Sequence, residues 1–179
     1  MNHNTKIILE SDRLLFRQHV PDDLEAYCAM EQDPDVRRYI GGRPRTREEA
    51  EHRFSQALTP VKNSLAVWAT VLKSQRKYIG RCGIYPHFNH NGGIIESEAS
   101  LGLYIAIEYW GRGFATEAGQ AFIKFGFDEL KLNRIVTMVQ VGNDASVRVL
   151  EKLGFELTKT EIGKKSFYHF ELKPDKDYN

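Results

Sequence analysis

Residues 99–141, ASLGLYIAIEYWGRGFATEAGQAFIKFGFDELKLNRIVTMVQV, hold the pattern from which the topology is read. Apolar residues crowd Ala99–Ile107, as a buried strand requires. Glu108-Tyr109-Trp110-Gly111-Arg112-Gly113 breaks that run, and from residue 114 to about 130 the period becomes helical. Phe114, Ala118, Ala121, Phe122 and Phe125 fall on one face, and Glu117, Gln120, Lys124 and Asp128 form a polar stripe expected to face solvent. A second apolar strand follows at about Arg134–Val141. A strand, a helix of this length and a strand predict a βαβ unit with parallel strands and a right-handed crossover.

Outward from this unit the elements are shorter. Arg13–Arg17 reads as a strand, Pro21-Asp22-Asp23 as a helix start, and Asp33-Pro34 as that helix's end. Thr46 with Glu49 three residues on makes a capping box for a second helix reaching Leu58, ahead of Pro60. Residues 65–73 and 78–85 predict a hairpin closed by Ser74–Lys77, and His87–Gly93 predicts a loop. On the C-terminal side, Asn143 caps a helix over 144–153 that Gly154 ends in the left-handed conformation. Phe155–Thr160 and Phe167–Leu172 close the chain as two strands joined by a turn at 161–165. The expectation is one α/β (α+β) domain over residues 9–174, with terminal extensions at 1–8 and 175–179.

Composition limits the function. The chain has 179 residues, 41% hydrophobic and 27% charged, enough for a full core without cross-links. Its 25 Lys and Arg against 24 Asp and Glu argue against nucleic acid or an anionic membrane as the main partner, since both demand a basic excess. Ile7-Ile8-Leu9 is too short for a signal-peptide core, and the expected location is the cytoplasm. Cys28 and Cys82 lack metal-ligand spacing and read as core residues, so no metal is expected.

Gly111-Arg112-Gly113 stands between a strand and a helix N-terminus, whose unpaired N–H groups and partial positive charge favour an anion. Glycines let backbone approach a phosphate closely, and Arg112 adds a cation. A tight turn that binds nothing is the alternative. NAD fits poorly, because Thr116 stands where a third glycine is needed and Asn133-Arg134 where the ribose-binding acid belongs. A Walker-type Gly-Lys-Ser/Thr is absent.

The motif Ile107–Ala118, with Asn133-Arg134-Ile135 and Asn143–Phe155, resembles the GNAT superfamily of N-acetyltransferases. Ser11–Arg17 and Asp33–Gly41 extend the likeness to the branch acting on ribosomal-protein N-termini, the RimJ/RimL type. The resemblance implies a mixed, mostly antiparallel sheet flanked by about four helices and splayed where acetyl-CoA enters. It implies pyrophosphate on the amides of Gly111, Arg112, Gly113, Phe114, Ala115 and Thr116, with Trp110 where the superfamily has Gln or Arg. It places pantetheine along Leu103, Tyr104 and Ile105 as an added strand, and brings Asn143 and Ser146 to the second half of the site. The implied reaction is acetyl transfer from acetyl-CoA to the α-amine of a protein or peptide, or to a small-molecule amine, by a monomer or homodimer. A non-catalytic acyl-CoA-binding sensor is the competing reading.

For catalysis, the family's Tyr seven residues after the Asn is replaced by Leu150, which leaves Ser146 as the candidate acid. Asn143 also has a plain role as the cap that accepts the Ser146 N–H. The Ser146 hydroxyl, on the face of Val149, Leu150 and Leu153, needs either a backbone carbonyl one turn back or the cofactor as partner. The branch's strand glutamate is replaced by Ser100, and Glu98, two residues earlier on the same face, is the candidate base through water. The six histidines receive no role. Arg37, Arg38, Tyr39 and Phe88 are candidates for the acceptor pocket.

Overall fold

The computed structural model describes residues 6–59 and 65–174. Pro60, residues 1–5 and 175–179 of the expected extensions lie outside the described residues. The elements are β1 (Ile7–Glu10), β2 (Leu14–Arg17), α1 (Leu24–Gln32), α2 (Pro34–Arg37), α3 (Arg47–Ala57), β3 (Ala66–Leu72), β4 (Lys77–Phe88) and β5 (Ile94–Ile105). They continue with α4 (Phe114–Asp128), β6 (Arg134–Gln140), α5 (Asp144–Lys152), β7 (Glu156–Glu161) and β8 (Phe167–Leu172). The strands form one sheet in the order β1-β2-β3-β4-β5-β6-β8-β7, antiparallel except for the parallel pair β5–β6. This is the expected mixed α/β architecture, and the crossover through α4 is the expected βαβ unit.

Several boundaries differ from the sequence reading. β1 begins at Ile7, inside the segment expected as an extension, because Ile7 and Leu9 pair with β2. Asp33 ends α1 and also opens α2, its carboxylate accepting the Asp35 and Val36 N–H groups. The loop expected over 87–93 is only its tip: β4 runs on to Phe88, and the Asn89 side chain closes the turn by accepting from Asn91 N and Gly93 N. The strand expected to end at Ile107 stops at Ile105, and Ile107–Tyr109 forms a single 3-10 turn.

Strand alternation assigns the two faces. Phe16 meets Phe122 edge to face at 4.7 Å, and a Cβ on Gly126 would touch Ile84 and Ile135, so these residues face α4. Cys28 and Cys82 are free and buried, and burial pushes the Cys82 thiol up to about 11. Glu117 departs from the expected solvent stripe. It accepts the Ser11 hydroxyl at 2.7 Å and Arg13 Nε at 2.6 Å, docking the β1–β2 turn onto α4.

The other face carries Arg17, Arg81, Tyr85 and Tyr104 beneath α1–α3. Glu31, 2% exposed, is the anchor there. Its carboxylate accepts Arg45 Nε at 2.5 Å, bonds Arg81, and lies 3.4 Å from Arg37 Nη1. The Arg81 guanidinium is stacked 4.7 Å from the Tyr27 ring and 5.0 Å from the Tyr104 ring. One carboxylate therefore joins α1, the α2–α3 connection and β4.

Burial pushes the Glu31 carboxyl up, but Arg81 and Arg37 outweigh it and hold the group below its ordinary value. A depressed folded-state value gives stability that is complete above the unfolded carboxylate range and lost as pH falls through the folded one. Glu31→Gln leaves three guanidiniums without a counter-charge and is expected to lose about 3–5 kcal/mol in denaturant unfolding. The variant should also show a shallower loss of stability on acidification.

Candidate active site

β5 and β6 pair only at Glu98–Arg134, Ala99–Ile135 and Ser100–Val136. Beyond Ser100 the strands separate. The Leu101 carbonyl accepts the Thr137 hydroxyl at 3.1 Å, and the Ile105 carbonyl accepts the Trp110 indole N–H at 2.7 Å. Both carbonyls point toward β6, whereas Ala106 N donates to Ile79 O on the β4 side. Alternation then turns the N–H and C=O of Leu103 into the gap between the strands. Together with the Ile105 N–H, which faces the same way, its backbone makes an open sheet edge, a template for an extended ligand arm.

A cleft of about 610 Å³ passes through this gap. Leu103, Tyr104, Ile105, Gly111, Gly113, Phe114, Ala115, Thr116, Asn143 and Ser146 all line it, so most of the sequence-predicted site residues are brought together. Gly113 is the N-cap of α4 at φ 79°, a left-handed conformation that glycine adopts without strain. The first hydrogen bond to that cap is Glu117 N to Gly113 O, which leaves the preceding amides of the first turn free for an anion. Trp110, the departure from the family pattern, spends its indole N–H on Ile105 and so ties the glycine loop to the end of β5.

Arg112 is not among the residues that line the cleft. Its guanidinium lies 5.6 Å from the Tyr109 ring, and its carbonyl accepts Arg13 Nη1 at 3.1 Å. Arg13 also packs 4.4 Å from the Phe114 ring and pairs with Glu117, so it braces the loop from behind. The cations at the cleft are instead Arg148 and Lys152, one turn apart on α5. The i, i+4 spacing placed them on one face, but only the packing of α5 decides that this face borders the cleft.

Asn143 caps α5 through Oδ1, accepting Ser146 N at 3.2 Å. Ser146 is half-buried, and among the described residues its hydroxyl has no hydrogen-bond partner, so the carbonyl one turn back does not take it. Glu98 lies outside the cleft lining. Arg134 Nη2 donates to it at 2.7 Å, and Arg134 Nη1 reaches Glu171 at 3.0 Å. A carboxylate so engaged is a structural ion pair before it is a base.

Across the gap, under α2, the cleft is walled by Asp35, Val36, Tyr39, Ile40, Tyr85 and Tyr104. The Tyr39 hydroxyl donates to Gly142 O at 2.9 Å, clasping α2 to the turn before α5. Of the other acceptor-pocket candidates, Arg37 is buried against Glu31, Arg38 is exposed beside the Tyr39 ring, and Phe88 is 54% exposed at the β4–β5 tip. Burial and the neighbouring Tyr104 phenol push the Tyr85 hydroxyl above its ordinary value, against a pull from Ser100. His87, given no role from sequence, sits with Nδ1 3.1 Å from Ser100 Oγ. The only signal for it in the sequence is its place two residues after Tyr85, and that has no meaning until the β4–β5 register is known.

Comparison with known proteins agrees with this geometry. A family model described as an acetyltransferase (GNAT) domain matches residues 13–156. An uncharacterized N-acetyltransferase, YoaA of Bacillus subtilis, is 31% identical over 157 residues, covering 83% of this chain and 82% of that protein. A GNAT-family acetyltransferase from Bacillus anthracis superposes with TM-score 0.80 at 26% identity over 94% of this chain and 98% of that one. Spermidine N-acetyltransferase from Vibrio cholerae, solved with CoA and spermine, shares the fold with TM-score 0.75 at 20% identity, covering 93% and 99%. The chain belongs to the GNAT acetyltransferase family, enzymes that move an acetyl group from acetyl-CoA to an amine.

Proposed function

We propose that this acetyltransferase acts on a single primary amine joined to an uncharged chain, the α-amine of a peptide or protein N-terminus, in the manner of the RimJ/RimL branch. The observation that carries the reading is the composition of the wall beneath α2. It has one carboxylate, Asp35, beside apolar Val36 and Ile40 and three phenols, and the other carboxylate lining the cleft, Asp144, stands at the start of α5. Asp35 matches one ammonium, and the apolar surface suits the residue behind it. A polyamine carries several charges and needs several carboxylates. The three guanidiniums gathered on Glu31 behind the same helix also set a field that disfavours further ammonium groups nearby. A peptide α-amine also titrates near 7.7–8.0, so a weak base is enough to take the proton it still carries near neutral pH.

On this reading the donor lies along the gap. The pyrophosphate rests on the amides at the start of α4, with Arg148 and Lys152 adding charge from α5. The pantetheine arm pairs with the Leu103 N–H and C=O as an added strand. The acceptor enters from the α2 side, and its amine attacks the thioester carbonyl where β5 and β6 part. Ser146, whose hydroxyl is otherwise unpartnered, donates to the departing thiolate.

CoA release measured with N-terminal peptides, polyamines and amine-bearing antibiotics is expected to be fastest on peptides, and preferential turnover of spermidine would overturn the acceptor reading. Ser146→Ala should lower kcat by roughly a hundredfold, the scale of one lost proton-transfer group, with the KM for acetyl-CoA little changed. Arg148→Ala and Lys152→Ala should do the reverse. Each raises that KM roughly fivefold, on the scale of about 1 kcal/mol for an exposed charge contact, and leaves kcat in place.

A further inference from the structure

Ser100 is the last residue of β5 to pair with β6, so the gap opens directly beyond it. It stands opposite Tyr85 on β4, and Tyr85, like Tyr104, lines the cleft. Two residues further along the same face of β4, His87 brings Nδ1 to 3.1 Å from the Ser100 hydroxyl. On the other side of the ring, Nε2 is 3.9 Å from Glu98 Oε2. Glu98 is held in turn by Arg134 on β6, which is held by Glu171 on β8, and Lys173 lies 2.9 Å from the second Glu171 oxygen. Tyr85 at the cleft, Ser100 opposite it and His87 on the Ser100 hydroxyl thus lead from the cleft to a partly exposed imidazole, with the Glu98 carboxylate held 3.9 Å beyond it.

We propose that this run is the proton exit of acetyl transfer, in which His87, acting through Ser100 and Tyr85, takes up the proton that the acceptor ammonium must lose. The proposal rests on the reading that the amine enters from the α2 side. With the His87 proton on Nε2, toward Glu98, Nδ1 is free to accept from the Ser100 hydroxyl. The ammonium gives a proton to Tyr85, Tyr85 passes its own to Ser100, and Ser100 passes its own to Nδ1. Both hydroxyls end as they began. The neutral amine forms the C–N bond at the thioester carbonyl, the C–S bond breaks, and the nitrogen's surplus proton passes by way of Ser146 to the thiolate. The products are an amide, CoA as a thiol, and one proton on His87, which leaves from Nε2 to water. Imidazole suits this task because it both gains and releases protons near neutrality. Glu98 then has a different part from the base through water expected of it: its charge steadies the imidazolium, and Arg134 keeps it in place.

His87 touches no reacting atom, so the test needs a readout that a purely structural role would leave unmoved. The pH dependence of kcat/KM is measured for the enzyme, His87→Gln and Ser100→Ala, with whichever amine releases CoA fastest. Failure of the peptide reading therefore does not decide this one. Both variants are expected to lose the acid limb assigned to the relay and to fall by roughly ten- to a hundredfold, the double variant falling no further than either. A weakly basic amine, already neutral in the assay, should be nearly indifferent to both changes. Added imidazole should restore rate to His87→Ala. An unchanged acid limb in His87→Gln, or equal losses on weakly and strongly basic amines, overturns the proposal. Ser100→Ala removes a single oxygen, and its profile decides the matter should the His87 variants fail to fold.

Discussion

The early end of the β5–β6 ladder is the constraint on which the rest of the site depends. A parallel pair buried on both faces ordinarily continues for the length of its strands, because each unpaired amide costs the desolvation of its donor and acceptor. Here β5 and β6 separate after Ser100 and Val136, and the exposed edge is dealt with group by group. Thr137 takes the Leu101 carbonyl and Trp110 takes the Ile105 carbonyl, so that the Leu103 amide and carbonyl and the Ile105 N–H are left facing the gap. The opening is braced from both sides, by the Tyr39 bond to Gly142 and by Arg13 behind the glycine loop. A gap edged by free backbone amides and a carbonyl has the form that an extended, amide-bearing ligand would complete as an added strand.

Charge is arranged locally around that gap, which is how a chain of net charge +1 serves a polyanionic donor. The free amides of α4 and the α5 cations lie at one end of the cleft, while the α2 wall contributes a single carboxylate. The arginine-rich cluster on Glu31 is different in kind. Burying three guanidiniums on one carboxylate is a poor source of net stability against an apolar alternative, but it fixes the position of α2 and of the Tyr104 ring, both of which wall the cleft.

Much of this was legible in the residues. The switch of period across 99–141 specifies a parallel crossover, and the glycine loop with the Asn143 cap places the donor end of the site. Local reading falls short in three places. Sequence neighbours set Arg112 at the anion site, and its side chain lies against Tyr109. Helical period turns Glu117 to solvent, and the β1–β2 turn covers it. The shared strand face with Ser100 makes Glu98 a candidate base, and alternation cannot reveal that Arg134 lies opposite on β6. For Glu117 and Glu98 the deciding partner is far away in sequence.

Local interactions therefore settled the order and type of the elements, the turn at the phosphate end and the family, since propensity, capping and glycine geometry act over a few residues. Register and packing settled the chemistry. Only the pairing of β4 with β5 sets Tyr85 against Ser100 and brings His87 onto its hydroxyl, only the docking of α5 turns Arg148 and Lys152 to the cleft, and only the parting of β5 from β6 leaves Leu103 exposed. These contacts join residues that share no local pattern, and the folded backbone is what makes them neighbours.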